Sequence, residues 1–563
     1  MIFRSKHPDI QVPTDITVWQ WLFESPETSP LYKFRPHELA GYTNAVTKER
    51  INWAQAKEAA TYVSTALVKK YGMKETETVS LFTQNTIWYP VAMFAAIRAG
   101  GKVAGASPAY NVEEMTYALK KADTKFLMAG PSCLKVALAA AKDAGIPQSR
   151  VFLLDGEAPG ITTFKELQAI GKSYGEQGQV PHPGIPIGQT NKDVCGFLNF
   201  SSGTTGLPKA VMLSHHNIMA QCLQMKAITP VEKKIFLGVL PLFHITGLIR
   251  FCNNPVHQND EVILLPQFTM ELTLKTIVEY QITELIIVPP IVIRFINDKI
   301  VDQYDTSCVK RISCGAAPLS KEIVQLLAKR FPQAGFRQGF GMTESSGCLS
   351  SHSPRYYSYE YANTVGDLIP STEIKIVDEE GKELGYDQPG EILARGPQIA
   401  MGYLGNETAS AESFDKERFL HTGDIGSISE EGLITIVDRI KEMIKVKGIA
   451  VAPAELEDLL LGHPYVSDIA VLGKRDDYAG ERPKAYVVLK HGVEKSEAIG
   501  RELIQFVKER KARFKWVQEI EFIDAVPKSP SGKILKRVLK ERERSGIRAF
   551  VVSEENQRAR ARL

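Results

Sequence analysis

The chain has 563 residues, too many for one compact core, so two or more domains are expected. Its 68 basic and 65 acidic residues give a formal net charge of +3, and 44% of its residues are hydrophobic. These values are typical of an ordinary soluble protein. They argue against a nucleic-acid-binding protein, whose basic excess would be larger and clustered.

The N-terminal stretch contains no apolar segment of signal-peptide length. The most apolar helical segment is interrupted by Arg98 and Lys102, so no membrane span is expected. Seven cysteines without paired spacing favour reduced core residues over a disulfide framework, and no His/Cys cluster suggests a zinc site. The final residues Ala561, Arg562 and Leu563 resemble the peroxisomal SKL address, with an arbitrary basic tail as the alternative.

The first four hundred residues alternate short apolar runs with helical patterns. The run TVSLFTQN predicts a buried strand, and the segment from Ile87 to Ala99 predicts the helix after it. The same pairing recurs at TKFLMAG, KIFLGVLP, TELIIVPP and VKRISCGAAP. Strands separated by helices imply an α/β fold with parallel-rich sheets covered by helices. Ligands bind in such folds at the carboxyl ends of the strands.

The pattern changes from about Thr372. Alternating apolar and polar residues around glycine turns predict antiparallel hairpins, which we expect to form a small β-barrel-like subdomain over residues 365–438. Shorter patterns beyond IVDRIKEMIKVKG outline a small α+β unit. We therefore expect an N-terminal domain over residues 1–438 and a C-terminal domain over residues 439–563, with the boundary at Asp438–Lys441.

The stretch SSGTTGLPK runs from Ser201 to Lys209, directly after a predicted strand. A Walker A loop would have Ser or Thr after its lysine, whereas Ala210 follows Lys209 here. The stretch nevertheless offers what phosphate binding requires: N–H groups freed by glycine, hydroxyl donors and a positive charge. A polar surface turn is the alternative.

Five motifs together resemble the adenylate-forming superfamily, which includes acyl- and aryl-CoA synthetases, luciferases and peptide-synthetase adenylation domains. SSGTTGLPKAVMLSH resembles its phosphate-binding signature, and GAAPLSKE, QGFGMTE, HTGDIG and PKSPSGKILKR follow in the superfamily's order. PLFHITGL and VKGIAVAPAELE resemble the 4-coumarate–CoA ligase-like branch. The resemblance runs from about Asp15 to Lys540.

The resemblance implies an ATP- or AMP-binding set drawn from the first four motifs and Arg439. Its members are Ser201, Ser202, Gly203, Thr204, Thr205, Gly206, Lys209, Gly315, Ala316, Ala317, Gln338, Gly339, Phe340, Gly341, Met342, Asp424 and Arg439. Thr343 and Glu344 match the residues that touch the α-phosphate and Mg²⁺ in the family. Lys533 matches the catalytic lysine that bridges the substrate carboxylate and the α-phosphate.

The resemblance also assigns the moving parts. Lys441 matches the hinge about which the mobile C-terminal domain rotates between half-reactions. Lys445, Lys447 and Gly448 would then approach the site and help to bind CoA.

His244, Thr246 and Gly341 match the acid pocket. We interpret His244 as a gate or substrate contact rather than a base, with a satisfied core histidine as the alternative.

Four residues depart from the plant coumarate ligases. Thr246 replaces a pocket tyrosine, Gln267 a lysine, Ala450 a glutamine and Phe340 the usual tyrosine of the second nucleotide motif. The loss of a phenol at position 246 enlarges the pocket and puts 4-hydroxycinnamates in doubt. A medium-chain fatty acid, a phenylacetate-like acid and a secondary-metabolite acid fit equally well.

The sequence therefore predicts an ATP-dependent acid–CoA ligase that uses ATP, Mg²⁺ and CoA. It would form an acyl-AMP with release of pyrophosphate and then transfer the acyl group to CoA. A stand-alone adenylation enzyme that loads a carrier protein in trans is the alternative, and a luciferase-type oxygenase shares every motif. A P-loop kinase and a non-catalytic binding protein are more remote hypotheses. The expected location is the peroxisome, through an import receptor, or otherwise the cytoplasm.

Overall fold

The computed structural model describes residues 1–201, 208–315, 319, 321–447, 449–476, 479–529 and 532–553. Several residues with predicted roles lie outside these ranges. They are Ser202, Gly203, Thr204, Thr205, Gly206, Ala316, Ala317, Gly448, Ala561, Arg562 and Leu563.

The first sheet has eight strands in the described part of the chain and is mostly parallel. Its central strand Thr78–Phe82 is buried at every position, as expected for a parallel strand covered on both faces. Antiparallel pairing occurs at one edge, where Lys209–Ser214 joins Cys195–Ser201 and Gly402–Tyr403. The order across the sheet is Gly402–Tyr403, Lys209–Ser214, Cys195–Ser201, Lys102–Ala106, Thr78–Phe82, Thr124–Ala129, Val151–Leu153 and Thr162–Thr163.

The second sheet has nine strands among the residues described, with a parallel centre and antiparallel edges. The order is Asp367–Leu368, Ser350–Ser351, Gly335–Phe340, Arg311–Cys314, Glu284–Ile287, Ile235–Gly238, Glu261–Leu264, Gly41–Asn44 and Arg50–Asn52. The strands predicted at KIFLGVLP, TELIIVPP and VKRISCGAAP all lie in this sheet, and each is followed by a helix.

Local capping sequences start several of the helices of the N-terminal domain. Asn52 and Gln55 form a capping box before Trp53–Lys69, and Ser214 and Asn217 do the same before His215–Ala227. The α-helices are Val18–Phe23, Pro30–Lys33, Trp53–Lys69, Trp88–Arg98, Val112–Lys121, Leu134–Asp143, Phe164–Lys172, His215–Ala227, Ile245–Gly247, Asn254–Gln258, Met270–Tyr280, Pro289–Asn297, Lys321–Arg330 and Glu407–Ser413. A π-helical segment, Leu248–Asn253, connects two of them.

The third sheet is antiparallel and contains the hairpins predicted after Thr372. In order its strands are Ile2–Arg4, Glu373–Val377, Gly390–Arg395, Leu420–Ile428 and Ile434–Arg439. The N-terminal strand was not predicted. It pairs with Glu373–Val377, more than three hundred residues away along the chain.

The C-terminal domain is built on a separate sheet with its own hydrophobic core. The preceding sheet ends at Arg439, and the first strand of this one begins at Ile444. Its strands are Ile444–Val446, Ile449–Val451, Val466–Asp476, Gly480–Leu489, Glu519–Phe522 and Phe550–Ser553. Its α-helices are Pro453–Leu461, Glu497–Arg510 and Lys536–Arg544.

All seven cysteines are free thiols, as the sequence predicted. In the described part of the chain, none of the helices combines the length and apolar character that a membrane crossing requires.

A buried ion cluster holds the C-terminal sheet together. The Lys484 ammonium is 1% exposed and lies 2.7 Å from Glu519 and 2.8 Å from Glu521, with Glu543 as a third partner. Although burial disfavours its charge, hydrogen bonds to the three carboxylates raise the pKa of Lys484. Because the ammonium already contacts all three carboxylates, we interpret this group as structural.

Removal of the central cation is expected to loosen this sheet. Lys484→Met would leave three carboxylates without their shared partner, which costs about 3–5 kcal/mol when a buried pair is broken from one side. Hydrogen exchange of the strand Gly480–Leu489 measures this loss. Lys275→Met removes an exposed pair with Glu271 and should change the stability of its own helix little, because solvent screens such a pair. Equal, small effects of both substitutions would contradict the assignment.

Candidate active site

A cavity of about 1110 Å³ lies where the sheets of the N-terminal domain meet the C-terminal domain. Most of the predicted site residues that the structure describes line it. They are Ser201, Lys209, His244, Thr246, Gly315, Gln338, Gly339, Phe340, Gly341, Met342, Thr343, Glu344, Arg439, Lys441 and Lys533. Motifs separated by more than three hundred residues of sequence thus meet at one place.

The sheet topology explains how the nucleotide motifs come together. Gly315 directly follows Arg311–Cys314, and Gln338 lies on the neighbouring parallel strand, opposite Cys314. Both therefore sit at the carboxyl edge of the second sheet, where ligands bind in such folds. In the first sheet, Ser201 lies opposite Lys209 on antiparallel strands, so the two ends of the predicted phosphate loop are held side by side.

Glu344 is buried beside the cavity and is oriented by Tyr403. The Tyr403 hydroxyl donates to Glu344 Oε1 at 2.9 Å, and the Lys209 ammonium lies 4.7 Å from the centre of the Tyr403 ring. Burial and the Glu344 charge raise the pKa of Tyr403, so the phenol remains a donor. Sequence reasoning missed Tyr403, because the only local signal was an aromatic residue in the strand Gly402–Tyr403.

Asp424 and Arg439 occupy adjacent antiparallel strands and form an ion pair of 3.3 Å. Asp424 is buried, and within the described part of the chain its Oδ2 atom has no hydrogen-bond partner. Burial raises the pKa of Asp424 to about 6, although Arg439 and Lys533 oppose that rise. A buried acceptor without a donor, beside the cavity, is suited to hydroxyl groups of a ligand.

Lys533 reaches the cavity from a tight turn of the C-terminal domain. The Lys533 N–H donates to Ser529 Oγ at 3.1 Å, and Gly532 adopts φ +82°. A Cβ atom at Gly532 would lie 3.1 Å from Val288 and 3.2 Å from Pro290, so a glycine is needed both for the turn and for its close approach to the N-terminal domain.

The surroundings of the Lys533 ammonium lower its pKa. Burial and the neighbouring Arg439 lower the pKa of Lys533 to about 8, while Glu442, Asp424 and Glu344 oppose that shift. The lysine therefore lies close enough to Asp424 and Glu344, the two predicted nucleotide carboxylates, to interact with them electrostatically.

His244 begins the short helix Ile245–Gly247. Its Nδ1 atom accepts the Thr246 N–H at 3.4 Å, which leaves Nε2 to carry the proton of a neutral ring. Burial and the Lys533 charge lower the pKa of His244 to about 4, so the ring is neutral at physiological pH. It lines the cavity as a neutral polar group, and its role as a gate or substrate contact rather than a base stays a prediction.

The predicted hinge and CoA residues differ in position. Lys441 lines the cavity, in the short helical turn Ile440–Glu442 that links the two domains. Lys445 and Lys447 are exposed on the hairpin Ile444–Val451 and are not among the residues lining the cavity. Their role stays a prediction.

Comparison with known proteins agrees with this geometry. A family model described as AMP-binding enzyme matches residues 35–404, and one described as AMP-binding enzyme C-terminal domain matches residues 455–533. The chain belongs to the AMP-binding enzyme family. This confirms the resemblance inferred from the five motifs.

Relatives of this AMP-binding enzyme match it over almost its whole length. 4-Coumarate-CoA ligase 1 of Narcissus pseudonarcissus is 33% identical over 555 residues, which cover 96% of each chain. ATP-bound MatB from Rhodopseudomonas palustris is 25% identical with a TM-score of 0.81, covering 93% of this chain and 98% of that one. The anthranilate CoA ligase AuaEII in complex with anthranoyl-AMP shares the fold, with 23% identity, a TM-score of 0.83, and coverage of 95% and 98%.

Tyr403 offers a test of how Glu344 is positioned. Tyr403→Phe removes the hydroxyl donor but keeps the ring beneath Lys209, and loss of a hydrogen bond to a charged group costs about 1.5 kcal/mol or more. We expect kcat/KM for ATP to fall about tenfold and the half-saturating Mg²⁺ concentration to rise. Tyr403→Leu also removes the ring and should lose more. Wild-type Mg²⁺ dependence in both variants would show that Tyr403 only fills space.

The lowered pKa of Lys533 predicts a pH effect. Because the charged ammonium is the active form, kcat/KM for ATP in pyrophosphate release should fall about tenfold per pH unit above about pH 8. Lys533→Arg keeps its charge throughout this range, so its residual activity should lack that decline. A decline that persists unchanged in the arginine variant would assign the titration to another group.

Proposed function

We propose that this enzyme activates an aromatic or medium-chain carboxylic acid with ATP and Mg²⁺ as an acyl-AMP, and then transfers the acyl group to CoA. The reaction class, ATP-dependent ligation of an acid to CoA through an acyl-AMP, is that of its family and its 4-coumarate–CoA ligase relatives. The observation that carries the proposal is the position of Lys533 in one cavity with Glu344, beside the Asp424–Arg439 pair.

The chemistry requires such a cation. A carboxylate resists nucleophilic attack because the attack adds charge to an anion, so its oxygen first attacks the α-phosphorus of ATP and expels pyrophosphate. Negative charge then accumulates on the α-phosphate oxygens and on the leaving group. In this proposal Lys533 would stabilise the charge on the acid and the α-phosphate, and Lys209 the charge on the departing phosphates. Thr343, buried at the cavity wall, would donate its hydroxyl to the α-phosphate.

Glu344 is the residue that would hold Mg²⁺. It is an oxygen ligand, which suits this ion, and it makes no ion pair with Lys, Arg or His within the described ranges, so its charge is available. When bound, Mg²⁺ would offset the negative charge of the triphosphate. The free Oδ2 of Asp424 would accept a ribose hydroxyl, with Arg439 fixing the carboxylate.

The acid would lie beside His244, Thr246 and Gly341, where Ile245, Ile249 and Phe340 add apolar surface. For the second step, rotation about Lys441 would bring the hairpin with Lys445 and Lys447 to the cavity, where the two cations would meet the phosphates of CoA. Loading of a carrier protein is the alternative second step.

For location, we propose the peroxisome, reached through an import receptor that recognises Ala561, Arg562 and Leu563. The support is the resemblance of this tripeptide to the SKL address.

The experiment that tests the function is acid-dependent pyrophosphate release from ATP and Mg²⁺, across aromatic and C6–C16 acids, with and without CoA. Pyrophosphate release together with the matching CoA thioester would support the ligase. Release without a thioester would favour a carrier protein or an oxidative second step. No release with any acid would contradict adenylation.

Lys533→Ala is the matched control for the division of labour between the two steps. It should lose adenylate formation by at least about a hundredfold, a loss typical of removing a group that stabilises transition-state charge. Conversion of a supplied acyl-adenylate to the thioester should be largely retained. Equal loss of both half-reactions would contradict the role given to Lys533.

A further inference from the structure

Two buried arginines line the cavity without an acidic partner. Arg250 is 6% exposed and Arg337 is 2% exposed, and neither forms an ion pair with any described carboxylate. A buried charge that lacks an opposite charge is costly to keep in a folded protein. These two arginines are therefore suited to bind an anionic ligand.

Arg250 is the less satisfied of the two. It lies in the π-helical segment Leu248–Asn253, and both terminal nitrogens, Nη1 and Nη2, lack a hydrogen-bond partner among the residues described. Its guanidinium packs 5.7 Å from the centre of the Phe236 ring. Burial and the neighbouring Arg337 lower the pKa of Arg250 to about 10, which leaves it charged at neutral pH.

Arg337 is fixed in place by neutral groups. Its Nε donates to Ser313 Oγ at 2.5 Å, and its Nη1 donates to the Tyr357 hydroxyl at 3.0 Å. These contacts orient the guanidinium but leave its charge unbalanced.

The buried acids nearby are already paired. Glu284 forms an ion pair with Arg311, and Asp260 lies 3.7 Å from Lys234. Neither acid therefore neutralises Arg250 or Arg337, and an excess of positive charge remains around these two arginines.

The arginine pair and Lys533 line the same cavity but have different charged neighbours. The groups that act on Arg250 are Arg337, Cys348, Glu284 and Tyr357. Those that act on Lys533 are Arg439, Glu442, Asp424 and Glu344, the predicted nucleotide side. Apolar side chains also line this cavity, among them Met225, Ile249 and Phe340. A ligand with one anionic group near Lys533, an apolar body and a second anionic group near Arg250 would satisfy both sets of cations.

We propose that Arg250 and Arg337 bind a second carboxylate on the acid substrate, so that the preferred acid is a dicarboxylic acid with an apolar spacer. This inference rests on the proposed acid–CoA ligase function and names its substrate class. One carboxylate reacts beside Lys533, and the distal one pairs with the Arg250 guanidinium, which would turn its buried, unpartnered Nη1 and Nη2 toward the ligand. A guanidinium presents these nitrogens in a fork that matches the two oxygens of a carboxylate.

The same groups disfavour an acid with an apolar tail. A methyl terminus against Arg250 would remove water from the guanidinium and give no hydrogen bond in return. The site then selects by rejection as well as by attraction, as sites built around buried polar groups do.

The test compares matched acids that differ only at the distal end. Octanoate is paired with octanedioate, decanoate with decanedioate, and cinnamate with 4-carboxycinnamate, and kcat/KM for the acid is measured by pyrophosphate release. In the wild type, at least one diacid should exceed its monoacid by about tenfold or more. The measured quantity in every variant is this diacid-to-monoacid ratio.

Three variants locate the effect. Arg250→Met should lower the ratio by about thirtyfold or more, since removing one partner of a buried charge pair costs about 2 kcal/mol or more. Arg250→Lys keeps the positive charge but lacks the forked guanidinium. Its diacid-to-monoacid ratio should lie between those of the wild type and Arg250→Met. Arg294→Met removes an exposed arginine that pairs with Asp298 away from the cavity, and it should leave the ratio unchanged.

The outcomes separate the two proposals. Absence of pyrophosphate release with every acid would contradict the ligase function itself. Release that favours the monoacids in each pair, with a ratio that Arg250→Met does not change, would overturn the diacid assignment while the ligase function stands. If Arg250→Met does not fold, the wild-type ratio and the Arg250→Lys variant decide the question.

Discussion

The structure depends on the burial of one lysine of the C-terminal domain among charges of the N-terminal domain. Lys533 lies where Arg439 repels it and where Glu442, Asp424 and Glu344 attract it. The balance of these charges, together with burial, gives an ammonium that is charged at neutral pH but easily neutralised. An anionic ligand would strengthen its charge, because a phosphate or carboxylate favours the protonated form. The site is thus electrostatically prepared for anions before any ligand arrives.

This arrangement also explains why the enzyme needs two domains. Lys533 is on a turn that touches Val288 and Pro290, and the link between the domains is the short segment at Ile440–Glu442. Because few residues connect the domains and each has its own hydrophobic core, the proposed rotation about Lys441 would move the turn without disturbing either core. The C-terminal sheet keeps its shape independently through the Lys484 cluster and its own core. A catalytic group on a rigid body is positioned more accurately than one on a flexible loop.

The sequence predicted what is local and repetitive. Apolar runs such as TVSLFTQN predicted the strands, and the motif residues Gly315, Gln338 and Lys533 are found at one cavity. It did not predict the strand Ile2–Arg4, whose partner lies in the distant strand Glu373–Val377. It also missed Tyr403 and Arg250, because neither carries a local pattern that separates a site residue from a core residue. Their roles come from what the fold places beside them.

The neutral groups of the cavity matter as much as its charges. His244 cannot act as a cation near neutral pH, because burial and Lys533 lower its pKa to about 4. In the proposed reaction, the charge that meets the carboxylate would therefore come from Lys533. Arg250 also lines the cavity, as a cation whose nearby acids are paired elsewhere. An acid entering this cavity therefore meets positive charge from Lys533 and from Arg250, and apolar side chains line the cavity as well. Electrostatic complementarity of this kind discriminates among acids by what they carry at the far end, a property that the shape of the pocket alone would not provide.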